Sequence, residues 1–405
     1  MDMILSLETL PVELLHRIFD QIDAQTLLLA VQYVCKRLNS IVRTYNRYKF
    51  NFQSISKSTF HQLCRGVHSN DIISLILSDD NQTSGQTALF LSLQSVETYT
   101  RLQSITLLFV DEPYLKIILE HLSRSCLLTS LTIQSDSNDD FKSELIRSIS
   151  SIVGKTCFRR LDLTASDSTI DTLPWPVNCS VRHVRFSTSI PFTKFCTILR
   201  SSSDLHTMIL QDCSIEYDHE LNGALAENIS YPQLTSLTLE DCNLSMTILE
   251  SLFFLTPSLV HLTIKGTGGN FFDGARWERL FQIKLTNLTK FEFAFQNNFG
   301  INCERTDFEA IVAPFRTKFW LEIKHWYVNA VGVKKSFFTN LYSIPDCAPK
   351  ISFHPRSNKV SRSTVPSHID EIITMNSVRE LTLNLIEMQA DMTEMVIALF
   401  FEMLE

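Results

Sequence analysis

The sequence predicts an α/β protein: a short helical N-terminal segment, then a repeating array in which strand and helix alternate along a parallel sheet. Three observations carry this. Over the first fifty residues apolar positions recur at helical spacing. From residue 72 onward an apolar-x-x-apolar-x-apolar pattern returns every 23 to 30 residues. Between those patterns lie stretches whose apolar residues stand three and four apart, as on one face of a helix.

Composition bounds the function. With 405 residues, 44% hydrophobic and 20% charged, the chain can bury a large core. Only 10 glycines, against a usual frequency of about 7%, argue against Gly-rich phosphate cradles, and 28 phenylalanines read as core filling. A net charge of −8, with acids and bases interspersed, disfavours nucleic acid as the main partner, since phosphate binding needs concentrated basic surface. The start, Met1-Asp2-Met3-Ile4-Leu5-Ser6-Leu7-Glu8, carries acids where a secretory signal carries bases. The 10 cysteines include no C-x-x-C pair, which fits reduced thiols in cytosol or nucleus. The run from Met395 to Phe401 is far short of the ~20 apolar residues that span a bilayer, so no membrane partner is expected.

Leu10-Pro11-Val12-Glu13-Leu14-Leu15 starts a helix, with Thr9 as the expected cap and Pro11 in the first turn. Leu14, Leu15, Ile18, Phe19 and Ile22 give it one apolar face. Asp23 is placed to cap a second helix through Leu27, Leu28, Leu29 and Val31, and a third follows through Val34, Leu38, Ile41 and Val42. Three short helices bury too little apolar surface to stand alone, so they must dock on a partner or on the rest of the chain. A basic run, Lys36, Arg37, Arg43, Arg47 and Lys49, is balanced by nearby acids and reads as a solvated helix face.

In order and spacing these residues resemble the F-box. Leu10, Pro11, Glu13, Leu14, Leu15, Ile18 and Phe19 match its first helix, Leu27 and Leu28 its second, and Val34-Cys35-Lys36-Arg37 its third part. Leu38 follows the basic pair where many F-boxes have Trp or Phe. The resemblance implies docking on a Skp-type linker protein and, through it, a cullin. It implies linker contacts from Leu10, Pro11, Glu13, Leu14, Ile18, Phe19, Leu27, Val34, Cys35 and Lys36. An ordinary helical cap on the array is the other reading of the same residues.

The repeating pattern starts at Ile72, Leu102, Leu128, Phe158, Val181, Leu205, Leu234, Leu259 and Leu288. Two units are near duplicates, Leu205-His206-Thr207-Met208-Ile209-Leu210-Gln211-Asp212-Cys213 and Leu234-Thr235-Ser236-Leu237-Thr238-Leu239-Glu240-Asp241-Cys242. Both resemble the leucine-rich repeat, L-x-x-L-x-L-x-x-N/C, whose period is about 20 to 29 residues. A late unit, Val378-Arg379-Glu380-Leu381-Thr382-Leu383, lies three steps of 30 beyond Leu288, which predicts degenerate strands near 318 and 348. Helices are expected over Pro113 to Leu122, Phe141 to Ile152, Met246 to Leu255 and Asp391 to Glu405. The resemblance implies a solenoid with its parallel sheet on the concave side. The expected domains are an F-box over 1–50 and a solenoid over 51–405 of about 10–12 irregular units, degenerate over 300–375.

Side chains alternate across a strand, so residues between the buried leucines face outward, where solenoids hold partners. That nominates Arg160, Asp162, His183, Arg185, Gln211, Glu240, His261, Lys265, Lys290, Glu292, Trp320, Glu322 and Lys324 as contacts for a target protein, with Trp320 as anchor. Pro349 to Pro366 reads as an exposed loop. Cys213 and Cys242 read as buried residues at the turn after a strand.

The sequence carries no complete catalytic or metal-binding motif. His219-Glu220-Leu221-Asn222-Gly223 has Gly where a second zinc-binding His is needed, and Asp136-Ser137-Asn138-Asp139-Asp140 is followed by Phe141 where a calcium loop needs Gly. Gly266-Thr267-Gly268-Gly269 lacks the P-loop Lys, and no G-x-S-x-G occurs. The expectation is a non-catalytic chain without cofactor or metal: a substrate-recognition adaptor of a ubiquitin ligase, or alternatively an interaction scaffold with no role in degradation.

Overall fold

The structure, a computed structural model, describes residues 7–124, 127–135, 140–212, 229–298, 307–333, 338–344, 350–353, 359–365 and 380–383. It divides into two compact units, Met1–Leu210 and Gln211–Glu405.

The first unit opens with α1 (Val12–Phe19), α2 (Ala24–Leu29) and α3 (Lys36–Thr44). Pro11, and not Thr9, occupies the N-cap of α1: Leu7–Thr9 forms a 3-10 turn of its own, and proline's missing N–H costs nothing at a helix start. Asp23 caps α2 as expected, accepting the Thr26 N–H at 2.7 Å. Strand β1 (Tyr48–Asn51) and α4 (Lys57–Gly66) follow. A continuous run of rings ties the helices to them: Phe19 to Tyr45 at 5.7 Å, Tyr45 to Tyr48 at 5.0 Å, Phe50 to Phe52 at 5.1 Å and Phe52 to Phe60 at 4.7 Å between centroids. The helical end therefore shares its core with the strand and helix that succeed it, which answers its shortage of apolar surface.

Strands β2 (Ile72–Ser78), β3 (Ser104–Leu108), β4 (Ser130–Gln134), β5 (Arg160–Thr164), β6 (His183–Phe186) and β7 (Thr207–Leu210) extend β1 into a parallel sheet in sequence order. Parallel neighbours need a long crossover. Here each crossover holds a helix: α4, then α5 (Gln86–Leu93), α6 (Glu112–Leu122), α7 (Ser143–Val153), α8 (Asp167–Thr172) and α9 (Phe192–Ser201). Leu75, Ile105, Leu131, Leu161, Val184 and Met208 stand opposite one another in register, as do Leu77, Leu107, Ile133, Leu163, Phe186 and Leu210, and all are buried.

One backbone feature recurs. In several repeats the carbonyl of the residue just after the first apolar position accepts two N–H groups from the next repeat. Gln103 takes Thr129 and Ser130 at 2.8 and 3.0 Å, Thr129 takes Arg159 and Arg160 at 2.8 and 3.0 Å, and Arg159 takes Arg182 and His183 at 2.8 and 3.0 Å. In the second unit Thr235 takes Val260 and His261 at 2.8 and 3.0 Å in the same way. Seven residues past the first apolar position the chain turns through positive φ, 54° at Phe109, 54° at Asp212 and 48° at Asp241. Asp tolerates that conformation better than most residues.

The second unit begins with three parallel strands, β8 (Ser236–Cys242), β9 (His261–Thr267) and β10 (Lys290–Asn298), joined through α10 (Met246–Leu255) and α11 (Gly274–Ile283). Beyond β10 the parallel order ends. After α12 (Phe308–Val312), β11 (Tyr327–Val333) and β12 (Phe338–Ile344) form an antiparallel pair, with β12 against β10 and β14 (Lys359–Ser363) against β11. The strand expected near 318 is a π-helical turn, Phe319–Ile323. In a strand Phe319 and Trp320 would face opposite sides, whereas both are buried here, and a helical turn allows that. The strand expected near 348 exists: β13 (Lys350–Phe353) pairs in parallel with β15 (Glu380–Leu383), the late unit, in a separate sheet. The segment 349–366 is thus more than a loop, since it contributes β13 and β14. The expected helix over 391–405, Cys213 and the segment His219–Gly223 lie outside the described residues, as does most of the Asp136–Asp140 segment.

Cys242 is buried as expected, but as the last residue of β8 and not at the turn after it, and Gly266 of β9 stands beside its carbonyl. A Cβ at Gly266 would collide with the Cys242 carbonyl oxygen, a main-chain atom that cannot swing aside. Gly266→Ala is expected to destabilise the protein by about 1–3 kcal/mol. At Gly66, where a Cβ meets nothing within 4 Å, the same change should leave stability unchanged or slightly raised. Denaturant melts of the two variants beside wild type check both.

Candidate functional site

The helical end presents an apolar face. Leu14 and Ile18 lie one turn apart on α1, at 43% and 37% exposure, and Val34 is 69% exposed. Leu7, Val12 and Tyr33 are exposed as well. The start of α3 is held against the start of α1 by Arg37, whose Nη2 donates to the Leu10 carbonyl at 2.7 Å. This brings Val34 and Cys35 to the Leu10-Pro11 end of the first helix. Cys35 is the cap of α3: its Sγ accepts the Leu38 N–H at 3.4 Å. Of the basic run, Arg37, Arg47 and Lys49 are used within the chain, while Lys36 and Arg43 are exposed. Arg47 pairs with Asp20 at 3.0 Å, and Lys49 Nζ donates to the Asp20 carbonyl at 3.2 Å.

Of the expected linker contacts, Pro11, Glu13, Leu14, Ile18, Val34 and Lys36 are exposed, and Leu10 and Cys35 are half-buried. Phe19 and Leu27, at 2% and 1% exposure, point into the chain's own core and are not available to a partner. The period-four spacing that put Phe19 beside Leu15 in sequence fits the inner stripe as well as the outer one. Leu7, Val12 and Tyr33 were missed because nothing in the pattern separates an exposed apolar residue from a buried one.

The open face of the first unit's sheet is neutral over β2 to β4, where Ser74, Ser104 and Ser130, then Ile76, Thr106 and Thr132, stand side by side. Charge starts at β5. Arg160 Nη2 and Nε reach Asp162 Oδ2 at 2.8 and 3.1 Å, and His183 Nε2 lies 3.3 Å from Asp162 Oδ1. Burial opposes the Asp162 charge, but His183 and Arg160 more than offset it and hold the carboxyl below the usual carboxylate range. Arg185, beside Asp162 in register, is half-buried.

In the second unit Glu240 accepts from Gln211 at 2.8 Å and pairs with Lys265 at 3.1 Å. Lys290 pairs with Glu292 at 2.8 Å, and His261 is exposed. Trp320 is no anchor. It is fully buried among Phe281, Phe291, Phe315, Phe319 and Trp326, with ring centroids 4.8 to 6.3 Å away. Glu322 is exposed and Lys324 half-buried, on the π-helical turn and at its end, so neither belongs to the strand register that nominated them. Among the described residues no cluster of His, Cys, Asp or Glu could hold a metal ion, and no helix is long and apolar enough to cross a membrane.

The helical end belongs to a known class. A family model described as F-box-like matches residues 7–51, so the chain carries an F-box-like domain at its N-terminal end. Among curated proteins none matches the sequence. Among solved structures, a crystal structure of a Rad7 and Elc1 complex in yeast is similar over 69% of this chain and 85% of that one, at 16% identity and a TM-score of 0.33, too slight a likeness to argue from.

Asp162 gives a pH test. Its folded-state pKa is depressed, so the stability it contributes is present above its unfolded value, near 3.8, and is lost as pH falls through the folded one. Asp162→Asn should lower the melting temperature most near neutrality, and the gap from wild type should close below pH ~4. Thermal melts across that range measure it.

Proposed function

We propose that this chain is a substrate-recognition adaptor of a ubiquitin ligase. The F-box-like domain docks on a Skp-type linker protein and through it a cullin, in cytosol or nucleus. The strand-and-helix array, read as a leucine-rich-repeat solenoid, offers the open face of its sheet to a target protein. The observation that carries the reading is the outer face of α1: in a domain whose inner stripe is fully packed, Leu14 and Ile18, with Val34 nearby, remain in water. Apolar side chains left out when a core is available are the mark of a surface completed by a partner. The linker contacts are then Leu10, Pro11, Glu13, Leu14, Ile18, Val34, Cys35 and Lys36, with Leu7, Val12 and Tyr33 added. The target contacts are Arg160, Asp162, His183, Arg185, Gln211, Glu240, His261, Lys265, Lys290 and Glu292. Catalysis in this reading belongs to other subunits.

Capture of purified Skp-type linker protein by the full chain tests it. The Leu14→Ala/Ile18→Ala/Val34→Ala variant should fold and melt near wild type yet lose about tenfold or more in affinity. Phe19→Ala, by contrast, should destabilise the fold itself by about 3–5 kcal/mol. A wild-type chain that captures no linker where another F-box protein does would end the ligase reading. Linker capture with no change in any target's turnover would point to the scaffold instead.

A further inference from the structure

We infer that the open sheet face across β5 to β7 recognises an oxyanion on an extended acidic segment of the target, with Arg185 as the receiving group. The inference rests on the adaptor reading, for which it names the target's chemistry.

Over strands β2 to β7 the charged or titratable side chains on the open face are Arg160, Asp162, His183 and Arg185. There is one carboxylate among them, and it is fully engaged: Oδ2 takes both donors of Arg160, and Oδ1 faces His183. Asp162 Oδ1 and His183 Nε2 face each other at 3.3 Å and are shielded from solvent, so neither is open to a further group. Arg185 is left over. It alternates with buried Val184 and Phe186, which fixes its side chain on the open face, and it sits in register between Asp162 and Ile209. Among the described residues it has no ion-pair or hydrogen-bond partner, although it is half-buried. A half-desolvated guanidinium without an anion is an unfavourable state that an incoming carboxylate or phosphate relieves, and its planar fork suits either one bidentately. Around it, Thr207 and Ile209 of β7 supply a hydroxyl and a half-buried apolar step, and the hydroxyl rows of β2 to β4 continue the face without opposing charge. The contrast within this chain is with Glu240 and Lys265 or Lys290 and Glu292 in the second unit, where each cation already has its acid. On a protein of net charge −8, such a local cationic surplus selects by position and not by bulk attraction.

The test is fluorescence anisotropy of the full chain with three labelled peptides of one extended sequence, carrying glutamate, phosphoserine or glutamine at alternate positions. No linker protein is present. The glutamate or the phosphoserine peptide, or both, should bind at least ~10-fold more tightly than the glutamine peptide, and which of the two is tighter tells carboxylate from phosphate. Arg185→Gln should remove that preference. Asp162→Asn, which releases Arg160 and His183 from their internal acid, should increase it several-fold, and this gain would stand even if the Arg185 variant failed to fold. Equal binding of all three peptides, binding of none, or a preference untouched in Arg185→Gln overturns the inference. A chain that captures linker protein but ignores these peptides keeps the adaptor reading and loses this one, and the converse result does the reverse.

Discussion

The structure depends on one constraint: each parallel strand must present its apolar residues at the same level as the strand before it. In the first unit two rows, from Leu75 to Met208 and from Leu77 to Leu210, run through consecutive strands without a polar interruption, and every member is buried. A slip of one residue would turn a whole strand inside out. Truncating any one of these leucines opens a cavity against neighbours on both sides, at about 2–5 kcal/mol for Leu to Ala. Helical crossovers, left-handed turns and side-chain chemistry on the far face are all arranged around keeping those rows level.

The regular part of this fold was legible because its constraint is periodic. Leu102, Leu128, Phe158, Val181, Leu205, Leu234, Leu259 and Leu288 each stand just ahead of a strand, and the helices over 112–122, 143–153 and 246–255 fall where three- and four-residue spacing put them. Legibility failed where two bulky residues adjacent in sequence share one pocket. Leu321 and Ile323, two apart in the unit one repeat step beyond Leu288, suggested a strand, yet the adjacent Phe319 and Trp320 both enter one aromatic cluster, which a helical turn allows. The antiparallel pair β11 and β12 was invisible for a related reason: its partners are set by tertiary pairing with β10, and no repeat spacing announces it.

At the candidate surfaces the sequence identified residues better than it identified their roles. Leu14 and Phe19 belong to the same apolar pattern, and only packing reveals that one is outward and the other inward. Cys35 was read as an apolar contact, whereas it caps α3, a role the following Lys36-Arg37-Leu38 could have suggested. On the sheet face, alternation correctly put Arg160, Asp162, His183 and Arg185 on one side. It could not say that three of them form a closed group and the fourth does not.

The carbonyl shared by two N–H groups within both compact units has a further consequence. Gln103, Thr129, Arg159, Arg182, Thr235 and Val260 each hold the next strand through a main-chain oxygen, and none of their side chains is buried; Arg159 Nη1 adds a bond to the Ser180 carbonyl at 3.3 Å. The main-chain part of such a joint therefore does not depend on which side chain occupies it. A gene encoding such a chain can copy or drop a unit without solving a new joint each time, so length is the property most free to drift. The matched stretches at 205–213 and 234–242 keep two leucines and the Asp-Cys pair while every outward residue between them differs, which is the pattern such a joint allows.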